Sequence, residues 1–375
     1  MERLFTAHTL RKTCEPTALW RFDAPEVLGE ESVLLHVPGP WARHPRLTDY
    51  RGAGVYTKEV TLAGNVRFVF EGVSGAARVC LDGQELAREA QPNTPFACVA
   101  EDLEWGQHTL TVAVDAQGAI GGLTGAVTVE QLGSAWIRAV RVTPQRQGRL
   151  WRTAVQVEVV SLSDEAQTID VETHLAGSER RWKGKQLPPH GVLTLKGELP
   201  LGQVKPWSPA HPTLYKVETV LWQEGTPADD LIDRVGFREA ISEDGHFLLN
   251  GKRLSLQGVT WHGMDRSLAG LTADVQWMKT LGFNAICVEQ AACTPTLLEL
   301  CDQLGMLVWS AGRTAENHPC VMADAASNWK RIPLQAADGW EKQRDETGVL
   351  IETDAEDAAD TKTAYWQRIK CGMQQ

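Results

Sequence analysis

The chain has 375 residues, of which 43% are hydrophobic and 23% are charged, and its formal net charge is -11. This length predicts two or three domains rather than one core, and the acidic balance argues against nucleic acid or an anionic membrane as a partner. The N-terminus lacks the unbroken apolar run of a signal peptide, and no segment is long enough to span a bilayer, so we expect a cytoplasmic protein.

Eight cysteines are spread along the chain without a Cys-x-x-Cys motif or an accompanying histidine cluster. This pattern is typical of reduced thiols in a cytosolic protein. A zinc site at Cys287, Cys293 and Cys301 is an alternative, but a strand position followed by helix positions is poor ligand spacing. We therefore predict no metal and no cofactor.

Strand patterns fill residues 1–133. Apolar and polar residues alternate over 54–62, 67–73, 77–86, 108–115 and 126–132, and Asp82-Gly83 is a tight-turn signal. Short strands at this spacing predict a jelly-roll β-sandwich.

A second set of strand patterns fills residues 134–238. It comprises 135–144, 153–162, 168–176, 191–200 and 213–222, which fits a smaller Ig-like β-sandwich. We expect Trp207 and Leu214 to close the core of this sandwich.

The pattern changes to alternating strands and helices over residues 239–313. A hairpin turns at Asn250-Gly251, and a helix over 271–282 places Leu271, Val275, Met278 and Leu281 on one face. A strand over 283–288, a helix over 295–304 and a strand over 306–309 follow. This alternation predicts an incomplete TIM-barrel-like βα region with a parallel sheet, and residues 314–375 an irregular tail.

Several segments in chain order carry a family resemblance. They are "DYRGAGVYTKEVTL", "PWSPAHPTLYKVETVL", "DRVGFREAISEDGHFLLNGKRLSLQGV" and "ELCDQLGMLV". Together they resemble glycoside hydrolase family 2, the group of β-galactosidases, β-glucuronidases and β-mannosidases, from about Val37 to Trp309. The resemblance implies a jelly roll, an Ig-like domain and a (β/α)₈ barrel that hydrolyses O-glycosyl bonds.

The residues that carry the chemistry of this family are replaced. Retaining glycosidases need two carboxylates about 5–5.5 Å apart, and the family's acid/base glutamate follows an asparagine, a pair that does not occur after Arg313. Residues 260–263 read Thr-Trp-His-Gly where the family has Asn-Arg-His-Glu, and the jelly-roll loop 122–126 lacks the family's Arg-Asp pair. The segment after position 238 is also shorter than the roughly 250 residues of a full barrel. We expect no catalytic residue in this chain, and its status as an enzyme stays open.

Four residues near the strand ends are candidates for substrate binding: His262, Trp261, Trp309 and Asp265. His262 matches the family motif, although a lone histidine at a strand end is also a common structural group. The two tryptophans could stack on a sugar ring or fill the incomplete barrel with apolar bulk. Asp265 and Glu289 could form an acid pair, but nothing in their spacing brings them together.

These observations favour a non-catalytic relative with a carbohydrate-binding or structural role. The alternatives are an active retaining β-glycosidase, with carboxylates from the tail or a partner chain, and an assembly subunit without a ligand. The expected partner is a carbohydrate, a β-glycoside, and not nucleic acid or membrane. The outer strands of the incomplete barrel, near Ala285 and Leu307, would present unpaired backbone groups. We expect residues 314–375 to fold back over this edge, and a homo-oligomer could also form through it.

Overall fold

The computed structural model of the protein describes residues 7–16, 18–148, 150–243, 246–261, 268–288, 293–310, 318–322, 343–344 and 350–351. They form two β-sandwiches followed by a βα region, so the predicted fold class is confirmed. Among these residues, none of the helices is both long and apolar enough to cross a bilayer.

The first sandwich is a jelly roll built on one eight-stranded sheet. Its elements are β1 (Thr13–Cys14), β2 (Leu19–Asp23), α1 (Pro25–Leu28), β3 (Ser32–His36), β4 (Gly39–Pro40), β5 (Ala53–Phe70), β6 (Ala76–Leu81), β7 (Gln84–Glu89), β8 (Phe96–Asp115), β9 (Gly122–Leu123) and β10 (Val127–Leu132). The main strand order is β1-β10-β5-β8-β6-β7, with β2 pairing β3 and β5, while β4 pairs β9.

Two long strands let this single sheet fold over its own core. β5 and β8 are antiparallel partners, and their register shifts near Gly64. The first part of β5 pairs β2 and the last part pairs β10, so the strand serves both layers. The sequence patterns divided β5 into 54–62 and 67–73 and included only 108–115 of β8, because bulges interrupt the alternation of apolar and polar residues.

The second sandwich packs two separate sheets. Its strands are β11 (Ala135–Gln147), β12 (Leu150–Ser161), β13 (Gln167–Leu175), β14 (Ser178–Leu187), β15 (Val192–Leu201), β16 (Tyr215–Gln223) and β17 (Thr226–Val235). One sheet has the order β11-β12-β15 and the other β14-β13-β16-β17, as expected for an Ig-like domain. The sequence patterns did not include β14 and β17, which carry many charged residues.

The third region begins with a small antiparallel sheet and continues as βα units. Its elements are β18 (Ala240–Glu243), β19 (His246–Leu249), β20 (Lys252–Arg253), β21 (Gly258–Trp261), α2 (Leu268–Thr280), β22 (Ala285–Val288), α3 (Pro295–Leu304) and β23 (Leu307–Ser310). β21, β22 and β23 form a parallel sheet with β22 in the centre. Further along, β24 (Gln343–Arg344) pairs β25 (Leu350–Ile351).

One expectation about this parallel sheet is wrong, and its second edge is covered by residues from the segment expected to fold back over it. Ala285 is not on an outer strand, because β22 pairs on both sides. The edge near Leu307 is also occupied: the Val308 N–H donates to the Cys320 carbonyl at 2.8 Å, and the Met322 N–H donates to the Val308 carbonyl at 2.8 Å. Residues 318–322 therefore continue the sheet rather than belong to an irregular tail.

Two expectations about core residues also need correction. Leu281 is 43% exposed, because α2 ends at Thr280 and Leu281 has left the helix face that buries Val275. Trp207 and Leu214 pack in the core of the βα region, not in the core of the Ig-like sandwich. The Trp207 indole N–H donates to the Asp302 carbonyl at 2.8 Å, which fixes the loop before β16 against α3.

A buried charge network joins the two sandwiches. Arg11, in the N-terminal segment, donates to Asp229 of β17 at 2.7 and 3.1 Å and to Glu130 of β10 at 2.8 Å. Arg67 of β5 donates to the same Glu130 oxygen at 2.9 Å. Buried charges of this kind are stable only when each has a partner, so the N-terminal segment holds both domains together.

Candidate functional site

The candidate site lies at the carboxyl ends of the three parallel strands, where barrel enzymes place their chemistry. Trp261, Val288 and Ser310 are register partners at these ends. His262, Asp265 and Glu289, which follow the strands, lie outside the described residues, so their roles stay predictions.

The Trp261 side chain packs between the parallel sheet and α2. Its side chain is 5% exposed, and its indole N–H donates to an Asp274 carboxylate oxygen of α2 at 3.0 Å. The ring therefore lies on the face of the sheet that packs against α2. This geometry favours a structural role for Trp261 over contact with a ligand.

Trp309 lies on the other face of the sheet. Side chains alternate along a strand, so Trp309 is on the face opposite the buried Val308, and its register partner is Cys287. Trp309 is partly buried and packs against the core of the region, which holds the ring in place while part of its surface stays accessible. Of the two described candidates, Trp309 is therefore the one whose ring stays partly accessible.

A buried polar cluster centred on Asp302 lies beside this sheet. One carboxylate oxygen of Asp302 accepts a hydrogen bond from the Cys320 N–H at 2.9 Å, and the other is 2.5 Å from Nδ1 of His318. Both side chains of the Asp302–His318 pair are almost fully buried. The carboxylate therefore fixes residues 318–322 against α3.

Arg238 adds a positive charge to this cluster. Its guanidinium donates to the Val321 carbonyl, and its Nη1 has no hydrogen-bond partner among the described residues. Burial lowers the pKa of Arg238, and burial followed by the nearby Asp302 raises the pKa of the Cys320 thiol. The thiol is therefore protonated at neutral pH.

This cluster is the arrangement in the βα region that most resembles a metal site. Ligand atoms of Asp302, His318 and Cys320 lie within 4.8 Å of one another. Both oxygens of Asp302 already bind protein groups, however, and the guanidinium of Arg238 is close enough to repel a cation. The residues fit a structural connection better than a metal site. In the part of the chain that is described, Cys287, Cys293 and Cys301 do not converge as ligands.

The sequence interpretation treated Asp302 only as part of a helix motif. A usable signal was present, since an aspartate stands among the apolar residues of "LLELCDQLGMLV". Its partner His318 comes from a segment that shows no pattern, so the pairing itself could not be anticipated.

Two family models match the chain. The model described as glycosyl hydrolases family 2 matches residues 135–238, and the model described as glycosyl hydrolases family 2, TIM barrel domain, matches residues 240–344. The two matched ranges adjoin each other and together include the Ig-like sandwich and the parallel sheet.

Solved structures and curated proteins of this kind are similar to the chain over most of its length. A GH2 β-galacturonidase from Eisenbergiella tayi, solved with glycerol, is 31% identical with a TM-score of 0.77 over 85% of this chain and 59% of that chain. A β-galactosidase of Thermoanaerobacter pseudethanolicus is 24% identical over 84% of this chain and 46% of its own length. A Bacteroides uniformis β-glucuronidase, 22% identical, matches in fold with a TM-score of 0.71 over 83% of this chain and 43% of that chain. The chain thus spans less than two thirds of each of these relatives.

Proposed function

The chain belongs to glycosyl hydrolases family 2, and we propose that it recognises a β-glycoside without hydrolysing it on its own. The observation that carries this proposal is the placement of the carboxylates in the βα region. Within the described residues between 246 and 322, these are Asp274, Glu299 and Asp302, and all of them lie on the helices α2 and α3.

The hydrogen bonds of two of these carboxylates support a structural role. Asp274 accepts the indole N–H of Trp261, and Asp302 accepts the backbone N–H of Cys320. A retaining mechanism needs one carboxylate as acid/base and a second as nucleophile, both at the scissile bond. Carboxylates that hold the fold together from the helix layer do not meet that requirement.

Trp309 supports the binding part of the proposal. An indole ring offers a large apolar face to the C–H groups of a sugar while its N–H remains free for a polar contact. The position of Trp309 on the sheet face opposite α2 corresponds to the inner side of a barrel. The Eisenbergiella tayi neighbour is a β-galacturonidase, so uronides belong among the ligands to be tested beside galactosides and glucosides.

The test combines a binding measurement with a turnover measurement on the purified chain. Binding of methyl β-D-galactoside, β-glucoside and β-glucuronide is measured by ligand-observed NMR, and turnover with the matching aryl glycosides. We expect binding without turnover, and about ten-fold weaker binding of the galactoside and the glucoside by Trp309→Ala. Trp105→Ala is the matched control, because Trp105 is 82% exposed on β8 of the jelly roll.

Two results would contradict this proposal. Equal binding by the wild-type chain and Trp309→Ala would exclude the ring as a binding surface. Robust turnover that disappears on substitution of Glu341, Glu346 or Glu352 would instead establish the alternative, an active glycosidase with a carboxylate from the C-terminal residues.

A further inference from the structure

The jelly roll carries a cavity of about 680 Å³ on the exposed face of its sheet. This size is within the range of small-molecule sites, roughly 300–1,000 Å³. The cavity lies over β2, β5, β8, β6 and β7, and not at the strand ends of the βα region.

One row of cross-strand neighbours organises the cavity. Asp23, Val55, Ala113, Arg78 and Arg88 are successive register partners across the five strands. Neighbouring strands are about 4.8 Å apart, so the row runs about 19 Å from an acidic end to a basic end. All five residues line the cavity.

The floor between the two ends consists of small apolar side chains and one carboxylate, Asp115, which accepts the Gln117 N–H at 3.0 Å. Val55 and Ala113 lie in the row itself, and Ala53 and Ala76 flank Asp115 in the next row. Small side chains at neighbouring positions on three strands leave a shallow depression where larger residues would fill the face of the sheet. A ligand that lies across the strands can place C–H groups on this floor.

The basic end holds two like charges directly opposite each other. Like charges at opposed cross-strand positions destabilise a sheet. Arg88 is neutralised by a two-pronged ion pair with Glu85 at 2.6 and 2.7 Å. Arg78 forms no hydrogen-bonded ion pair among the residues that the structure describes, although Glu85 also attracts it electrostatically, and the nearby Glu89 already accepts a hydrogen bond from the Gln91 N–H at 2.8 Å. A ligand carboxylate at Arg78 would relieve the repulsion and form a charge-assisted pair.

The acidic end is suited to hydroxyl groups rather than to a second strong charge. Asp23 already accepts from the guanidinium of Arg21 at 3.2 Å and from the Ser32 hydroxyl. Glu26 accepts from the Tyr50 hydroxyl at 3.1 Å. Carboxylates that are partly compensated in this way retain lone pairs for neutral donors such as sugar hydroxyls.

We infer that this cavity binds a saccharide with a carboxylate group, its uronate at Arg78, its hydroxyls at Asp23 and Glu26, and its C–H face on the alanine floor. The choice of a saccharide rests on the carbohydrate role proposed above, whereas the cavity and its charges do not. The site is separate from the one at Trp309.

The experiment uses ligands that differ in a single group. Methyl β-D-glucuronide, methyl β-D-glucoside and acetate are titrated against the full chain by NMR. Variants are Arg78→Gln and, as the matched control, Arg152→Gln, which removes an exposed arginine of β12 at 3.8 Å from Glu198. We expect the glucuronide to bind at least ten-fold more tightly than the glucoside, and Arg78→Gln to remove that difference. Arg152→Gln should leave it unchanged.

The same titration in Trp309→Ala separates the two proposed sites. Glucuronide binding that persists in Trp309→Ala and is lost in Arg78→Gln supports the jelly-roll site, whatever becomes of the strand-end site. Loss of binding in Trp309→Ala alone, or equal binding by wild type and Arg78→Gln, overturns the assignment. Acetate binding as strong as glucuronide binding would also overturn it, because the site would then recognise only a small anion.

Discussion

Replacing Arg11 by methionine tests how strongly the N-terminal segment joins the two sandwiches. The guanidinium is 1% exposed and binds Asp229 through two nitrogens and Glu130 through a third. After the substitution Glu130 keeps Arg67 at 2.9 Å, whereas Asp229 keeps, among the described residues, one hydrogen bond from the Ile137 N–H at 2.7 Å and the neighbouring His8. The cost therefore falls mainly on Asp229, a buried carboxylate without its cation.

Removal of one partner from a buried ion pair costs about 3–5 kcal/mol. We expect the free energy of unfolding to fall by that amount, which is a large part of a typical total of about 5–15 kcal/mol. For a cooperative unit of about 150–250 residues, the melting temperature should drop by about 6–20 °C. The measurement is urea and thermal unfolding followed by circular dichroism.

Two further variants test whether the loss of stability comes from the buried ion pair. Arg46→Met removes an exposed pair, since Arg46 is 47% and Glu31 70% exposed, and should cost no more than about 1 kcal/mol. Asp229→Asn in the Arg11→Met background should recover part of the loss, because it neutralises the unpaired charge. Equal melting temperatures for Arg11→Met and Arg46→Met would show that the network does not join the domains.

Acid should weaken the same network: burial raises the pKa of Glu130, but Arg67 and Arg11 outweigh burial and hold that pKa below its ordinary value of 4.5. Its contribution is thus complete above about pH 4.5 and is lost as the pH falls through the folded-state pKa. In urea unfolding we expect this contribution to be equal at pH 7 and pH 5 and smaller at pH 3.5, and the same stability at pH 3.5 as at pH 5 would contradict this. A separate prediction concerns Gly305→Ala, which forces an alanine to φ +75° with its Cβ 2.4 Å from the Pro209 carbonyl oxygen. We expect a cost of about 3 kcal/mol in thermal melts, against about 1 kcal/mol for Gly177→Ala, where φ is +81° and no atom lies within 4 Å; equal costs would refute the importance of the contact.

Local chemistry made part of the fold predictable. Asp82-Gly83 and Asn250-Gly251 both form hairpin turns with positive φ at each position, because these residue pairs adopt that geometry at little cost. Alternation also located β5, β6, β10 and part of β8 in the jelly roll, and five of the seven strands of the Ig-like sandwich. Such signals depend on a few neighbouring residues and need no knowledge of the partner strand.

The strand β17 shows that local sequence patterns do not predict burial that depends on distant partners. Its sequence, "TPADDLIDRV", looks like a solvated acidic segment, yet Asp229 and Asp230 are almost fully buried. Arg11 and the backbone N–H groups of Thr9 and Leu10 compensate them, and these partners are more than 200 residues away in sequence. A burial pattern that depends on such distant partners leaves no periodicity in the strand itself.

The sequence predicted where the candidate site lies but not how its side chains are oriented. The sequence located Trp261 and Trp309 at the ends of strands in the same sheet, yet it did not decide which face of the sheet each ring takes. A shift of one residue in register exchanges the two faces of a strand, so a small uncertainty in where a strand begins reverses the role of its tryptophan. In the structure Trp261 binds Asp274 of α2, and Trp309 lies on the opposite face.

The connection between the Ig-like domain and the βα region bears on how the function is built. Trp207 and Arg238 belong to the Ig-like domain and its exit, yet they bind Asp302 and Val321 of the βα region. In the opposite direction, Lys279 of α2 donates to the carbonyl of Pro209 in the Ig-like domain at 3.0 Å. The three parallel strands therefore have a firm support on one side even though they form only part of a barrel. That support lets the strand-end face holding Trp309 keep a defined shape, which a binding surface requires and a loosely attached fragment would not provide.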